Sequence, residues 1–108
     1  MKILIVDQNP EVINALSLIL EQEQDLEIFA KANDLVGLFK YIAKSCPDVL
    51  ILDMDIQGIT RNQKNTPAHL TGLLETIHEL CPNIQIIALS ILTNIKTICV
   101  NAGVNDFV

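Results

Sequence analysis

Aromatic side chains are scarce in this chain. Tryptophan is absent and the only rings are Phe29, Phe39, Tyr41 and Phe107, so any core must be mostly aliphatic. Basic residues are also few, seven Lys and Arg against thirteen Asp and Glu, for a net charge of −6. They are scattered, without a patch or stripe. Nucleic-acid binding by this chain is disfavoured, because such affinity rests on neutralising phosphates. Electrostatic attachment to an anionic membrane is disfavoured for the same reason. No apolar run approaches the roughly 18 residues of a membrane helix. Only Ile3-Leu4-Ile5-Val6 separates Met1-Lys2 from Asp7, too short for a secretory signal. The three cysteines, Cys46, Cys81 and Cys99, are widely spaced and form no CxxC pair. They read as reduced thiols of a cytoplasmic protein.

What is present is a dense aliphatic chain. Half of the 108 residues are hydrophobic, enough for one domain spanning 1–108 around one small core. Lys2 to Val6 is a continuous aliphatic run, as expected of a strand buried on both faces. Asn9-Pro10 reads as an N-cap and first helical position, with Glu11 in the first turn. Val12, Ile13, Leu16, Ile19 and Leu20 recur at helical spacing and predict a helix to about Gln24. Leu26, Ile28 and Ala30 alternate with Glu27, Phe29 and Lys31, which suits a strand near the sheet edge.

Asp34 can cap a second helix with Leu35, Leu38, Phe39 and Ile42 on one face, ending before Pro47. Val49 to Met54 reads as the next buried strand. Residues Gln57 to Ala68 have no periodicity and read as a loop. Leu70, Leu73, Leu74, Ile77 and Leu80 predict a third helix, Ile84 to Leu89 a fourth strand, and Thr93 to Ala102 a fourth helix that Gly103 can terminate. Val104 to Val108 begins a fifth strand. Cys46-Pro47-Asp48-Val49 is echoed by Cys81-Pro82-Asn83-Ile84. Each joins a helix to a strand, and the plain reading is a proline stop followed by a turn residue. The alternation implies an α/β fold, a doubly wound five-stranded parallel sheet with right-handed crossovers.

In such sheets ligands bind beyond the carboxyl ends of the strands. Asp7 follows the first strand, Asp53 and Asp55 end the third, and Ser90 ends the fourth. Hard oxygen ligands with room for water and phosphate suit Mg²⁺, and a carboxylate can attack a phosphoryl group to form an aspartyl phosphate. His69 and His78, nine residues apart, share no helical face and read as surface residues.

Ile3-Leu4-Ile5-Val6-Asp7-Gln8-Asn9-Pro10-Glu11-Val12 resembles the opening of response-regulator receiver domains, the phosphoacceptor modules of two-component signalling. Pro47-Asp48-Val49-Leu50-Ile51-Leu52-Asp53-Met54-Asp55 resembles the strand bearing that family's phosphorylated aspartate. Ile86-Ile87-Ala88-Leu89-Ser90 and Ala102-Gly103-Val104-Asn105-Asp106-Phe107 are similar to the strand ending in Thr or Ser and to the approach to the aromatic switch residue. The resemblance implies a flavodoxin-like sheet of order 2-1-3-4-5. It further implies that Asp53 accepts phosphate and that Asp7, Asp53 and Asp55 hold Mg²⁺. Ser90 would hydrogen-bond the phosphoryl group and Phe107 would switch rotamer. The second strand and helix are most similar to the subfamily with a helix-turn-helix output domain, which implies transcription regulation.

The chain departs from the family at Gln8, where a second acid is usual, at Ile91, where a small residue is usual, and at Gln57-Gly58 with the insertion that follows. The resemblance places the family's lysine and fifth helix beyond residue 108. Two functions follow. One is a phosphoacceptor receiver served by a sensor histidine kinase or phosphotransfer protein, signalling through the face of the fourth helix and fifth strand. The other is a phosphorylation-independent module for protein interaction or homodimerisation. A haloacid-dehalogenase-like phosphatase would need Asp-x-Asp where this chain has Asp7-Gln8-Asn9. No enzyme beyond assistance to its own phosphorylation is expected.

Overall fold

Aliphatic runs become strands and amphipathic stretches become helices in the computed structural model of the chain, which describes residues 1–54, 66–89 and 106–107, with side chains for 1–54 and 72–89. The elements are β1 (Lys2–Val6), α1 (Pro10–Leu20), β2 (Glu27–Ala32), α2 (Leu35–Lys44), β3 (Val49–Asp53), α3 (Thr66–Leu80), β4 (Gln85–Leu89) and β5 (Asp106–Phe107). The strands form one sheet of order β2-β1-β3-β4-β5, with every pairing parallel. This is the expected doubly wound topology. The fourth helix expected over 93–102 and the inserted segment 58–65 lie outside the described residues.

Alternation along the strands divides the core into two layers. Leu4, Val6, Leu50, Leu52, Ile86 and Ala88 face α2 and α3, packing with Leu38, Ile42, Leu74, Ile77 and Cys81. Ile3, Ile5, Val49 and Ile51 point to the other side, against Ile13 of α1 with Leu16 and Leu20 at its margin. On that second face the β4 residues Ile87 and Leu89 are only half-buried. Each fully buried Leu or Ile is worth about 1.5–3 kcal/mol, so the first layer carries most of the hydrophobic stabilisation. The rings serve an edge of the sheet: Phe29 of β2 meets Tyr41 of α2 edge-on at 6.3 Å between centroids.

Two helix boundaries and some buried positions differ from expectation. Helix α1 stops at Leu20, and its buried stripe is Ile13, Leu16, Ser17 and Leu20, so Ile19 is 63% exposed rather than in the core. Ser17 fits this stripe because its hydroxyl donates to the Ile13 carbonyl oxygen at 2.7 Å, which satisfies it without water. Helix α3 begins at Thr66, inside the stretch expected to be loop, with Pro67 in its first turn where no intrahelical N–H is required. At its other end Leu80 is 52% exposed and Cys81 is buried in its place. His78 is half-buried, with Nδ1 3.0 Å from the Leu74 carbonyl oxygen.

At the amino ends of the strands, Asp48 ties three of them together. The Lys2 N–H donates to its carboxylate at 2.7 Å, its own N–H donates to the Lys2 carbonyl, and its carbonyl accepts from the Gln85 N–H. Beside this knot Cys46 and Cys81 are joined in a disulfide, which corrects the expectation of reduced thiols. The reason lies in the register: β3 and β4 pair from Val49 and Gln85 onward, so the two Cys-Pro junctions preceding them fall side by side. Their Cα atoms are 5.6 Å apart, within the span a disulfide bridges.

Helix α2 starts as expected, with the Asp34 carboxylate accepting from the Gly37 N–H at 2.7 Å. Gly37 must be small, since a Cβ there would lie 2.9 Å from the Ala32 Cβ, whereas one at Gly72 of α3 would meet nothing within 4 Å. In an open helix Gly→Ala is favourable by up to about 1 kcal/mol, and overpacking costs about 1–3 kcal/mol. Gly37→Ala is therefore expected to destabilise the domain by roughly 1 kcal/mol, and Gly72→Ala to stabilise it by a comparable amount. Urea unfolding of the two variants checks the opposite signs.

Candidate functional site

The first strand pair sets the site. β1 and β3 run in register through Val6↔Leu52, so the next residues, Asp7 and Asp53, occupy adjacent rungs at the carboxyl edge. Neighbouring strands are about 4.8 Å apart. By alternation both belong to the parity of Ile5 and Ile51, the side of the sheet covered by α1. Both are buried, Asp7 at 5% and Asp53 at 7% exposure.

Local structure holds Asp7 in place. Its N–H donates to the Ala32 carbonyl at the end of β2 at 3.0 Å. Its carboxylate accepts the Asn9 N–H at 2.8 Å. Asn9 in turn caps α1, its side-chain oxygen accepting the Glu11 N–H at 2.9 Å ahead of Pro10. The short turn from strand to helix is thus fixed on both sides of Gln8. Asp53 pairs with Leu89 of β4, and the Met54 N–H extends that pairing to the Leu89 carbonyl at 2.8 Å.

Of the residues expected at the site, the structure brings Asp7 and Asp53 together. Asp55 and Ser90 lie outside the described residues. Phe107 belongs to β5, paired with Ala88, two residues before Ser90; its side chain is outside the description. Among the described residues no group of three or more His, Cys, Asp or Glu side chains is placed to hold a metal. Two buried carboxylates on adjacent rungs repel each other in a medium that screens poorly. They favour a cation or an electrophile at this corner. A cavity of about 330 Å³ lined by Met1, Asp48, Asn83 and Gln85 opens at the opposite edge of the sheet, away from the acids.

The model of the response regulator receiver domain matches residues 3–108. The chain belongs to that family. A receiver domain of this kind is a signalling module of two-component systems, not an enzyme in the ordinary sense. This one is 34% identical over 92 residues to the oxygen regulatory protein NreC of Staphylococcus epidermidis, a match covering 83% of this chain and 38% of that protein. The chain thus spans well under half the length of the curated relatives it matches. Among solved structures it is similar to the isolated receiver domain of RcsB from Salmonella enterica serovar Typhimurium with the phosphomimetic BeF3−. That likeness has a TM-score of 0.80 at 22% identity and covers all of this chain and 75% of the other. The non-phosphorylated receiver domain of Escherichia coli RcsB is similar to the same degree, with a TM-score of 0.81 at 23% identity, covering all of this chain and 79% of that one. A LuxR-family response regulator from Aurantimonas sp. has a TM-score of 0.79 at 16% identity, covering 98% of this chain and 71% of that one. These likenesses establish the flavodoxin-like receiver fold.

No helix among the described residues is long and apolar enough to cross a membrane.

Neutralising one of the paired acids relieves their repulsion. Asp53→Asn removes one of two negative charges buried at this edge and is expected to raise stability in a chelating buffer. Thermal unfolding of wild type and variant in EDTA checks this; an unchanged or lower midpoint for the variant contradicts it.

Proposed function

We propose that this receiver domain is a phosphoacceptor in which Asp53 is the nucleophile. The observation that carries the reading is the burial of Asp53 and Asp7 on adjacent rungs at the carboxyl edge of β3 and β1. An Asp53 carboxylate oxygen attacks the phosphorus of a phosphohistidine on a sensor kinase or phosphotransfer protein. The new P–O bond forms as the P–N bond breaks, and the imidazole leaves with that electron pair. The residues suit Mg²⁺, with Asp7 and Asp53 as carboxylate ligands and Asp55 as the third contributor; the ion would offset negative charge on the phosphoryl oxygens. Ser90 donates a hydrogen bond to the phosphoryl group and Phe107 follows it inward. The face of the fourth helix and β5 carries the signal.

Gln8 tempers this chemistry. It supplies a neutral carbonyl where an acid would add a charge, so binding of the cation is weak and labelling slow. The domain works in the cytoplasm as part of a longer transcription regulator. Relatives more than twice its length, and RcsB structures described as bound to promoter DNA, support a separate DNA-binding output domain. The basic residues of this chain are too few for that task.

A second reading, an interaction or homodimerisation module independent of phosphate, is favoured by Gln8 and by the half-buried Ile87 and Leu89 on the thinly covered face. Intact-mass analysis after acetyl phosphate and Mg²⁺ separates the two. Partial gain of one phosphoryl group is expected, increased by Gln8→Asp roughly ten-fold, the equivalent of about 1.4 kcal/mol, and abolished by Asp53→Asn. If neither wild type nor Gln8→Asp gains a phosphoryl group, the interaction module replaces the phosphoacceptor.

A further inference from the structure

The Cys46–Cys81 bridge differs from a buried staple in how its two sulfurs meet solvent. Cys46 is exposed at the amino edge of the sheet, next to the exposed residues Asp48, Pro82 and Asn83. Cys81 is 1% exposed and part of the larger core layer. A thiolate arriving from solution can therefore reach one sulfur and not the other.

The surroundings also accommodate the reduced pair. The Leu80 carbonyl oxygen lies 3.3 Å from the Cys46 sulfur, so a free Cys46 thiol has an acceptor at hand. A free Cys81 thiol would be a small apolar core side chain, among the most readily buried of all. The adjoining backbone does not depend on the S–S bond, because Asp48 and the pairing of β3 with β4 hold it. Opening the bridge leaves the two thiols near each other and ready to close again.

We propose that Cys46 and Cys81 form a reversible redox site that exchanges with low-molecular-weight thiols and disulfides, with Cys46 as the point of attack. In reduction, an external thiolate attacks the Cys46 sulfur. A mixed disulfide forms there, and Cys81 leaves as a thiolate that takes a proton. A second external thiolate attacks the outer sulfur of the mixed disulfide and releases Cys46 as a thiolate. The sum is two external thiols oxidised to one disulfide and two protein thiols formed, and oxidation by a disulfide such as oxidised glutathione is the reverse. The cytoplasmic setting proposed above matters to the meaning of this site, because disulfides there are typically transient or redox-sensing. The chemistry itself is independent of phosphate, lying at the opposite end of β3 from Asp53.

The test counts maleimide labels by mass, added during brief unfolding of every sample, in a Cys99→Ser background, so that every label reports on the pair. Protein equilibrated with excess oxidised glutathione is expected to take no label, and protein equilibrated with excess reduced glutathione to take two. The unfolding midpoint should fall by roughly 10 °C on reduction, as removal of a cross-link in a domain of this size implies. With single cysteines, Cys81→Ser should form a mixed disulfide with oxidised glutathione at Cys46 at least ten times faster than Cys46→Ser does at Cys81. A pair that stays fully labelled under oxidised glutathione overturns the proposal. So does one that remains bridged in excess reduced glutathione, or equal reactivity of the two cysteines. None of these readouts depends on whether Asp53 accepts phosphate.

Discussion

In a parallel sheet each strand delivers its carboxyl end to the same edge and its amino end to the other, and β1, β3 and β4 pair here without a register break. That single constraint does two things. At one edge it sets Asp7 beside Asp53, and at the other it sets Cys46 beside Cys81. A slip of one residue between β1 and β3 would place Asp7 and Asp53 on opposite faces, and the acid pair would cease to exist. The aliphatic runs oppose such a slip, since it would also exchange the two core layers. Burial in the core and the chemistry at both edges are therefore consequences of the same pairing.

The two faces of the sheet are unequally served. Helices α2 and α3 cover one side with buried Leu38, Ile42, Leu74 and Ile77. Helix α1 covers β1 and β3 on the other through Ile13, Leu16 and Leu20, while the β4 residues Ile87 and Leu89 stay half-buried. The acids belong to this lighter side. Among the described helices only α1 packs on that side, and both acids are nonetheless buried beneath the end of the sheet.

Much of this was readable in the residues. Continuous aliphatic runs, Lys2 to Val6 and Val49 to Leu52, announce buried parallel strands, and the Asp that follows each run is visible without a structure. The capping residues Asn9 and Asp34 were equally plain, because a side-chain cap acts within one turn. What escaped depended on phase or on distance in sequence. Ile19 and Leu80 fit a helical period counted loosely, yet a stripe that includes Ser17 and Cys81 turns them outward. The start of α3 at Thr66 was hidden by the polar content of the stretch before it, since local propensity is a weak guide where a helix is held by packing at its far end. The cysteine bridge required knowing that β3 and β4 are neighbours in register. The repeated Cys-Pro-Asx pattern was the available signal, and its meaning appears only when the two copies are laid side by side.

The bridge closes a covalent ring, with a sequence separation of 35 between its two cysteines, that contains β3, the segment 54–65 and α3. Any cut of the backbone inside that ring leaves the fragments joined while the bridge is oxidised and separable once it is reduced. The same nick would therefore leave two pieces joined covalently in one redox state and held only by the β3–β4 pairing and the shared core in the other, with Asp7 and Cys46 on one piece and Cys81 with β4 on the other.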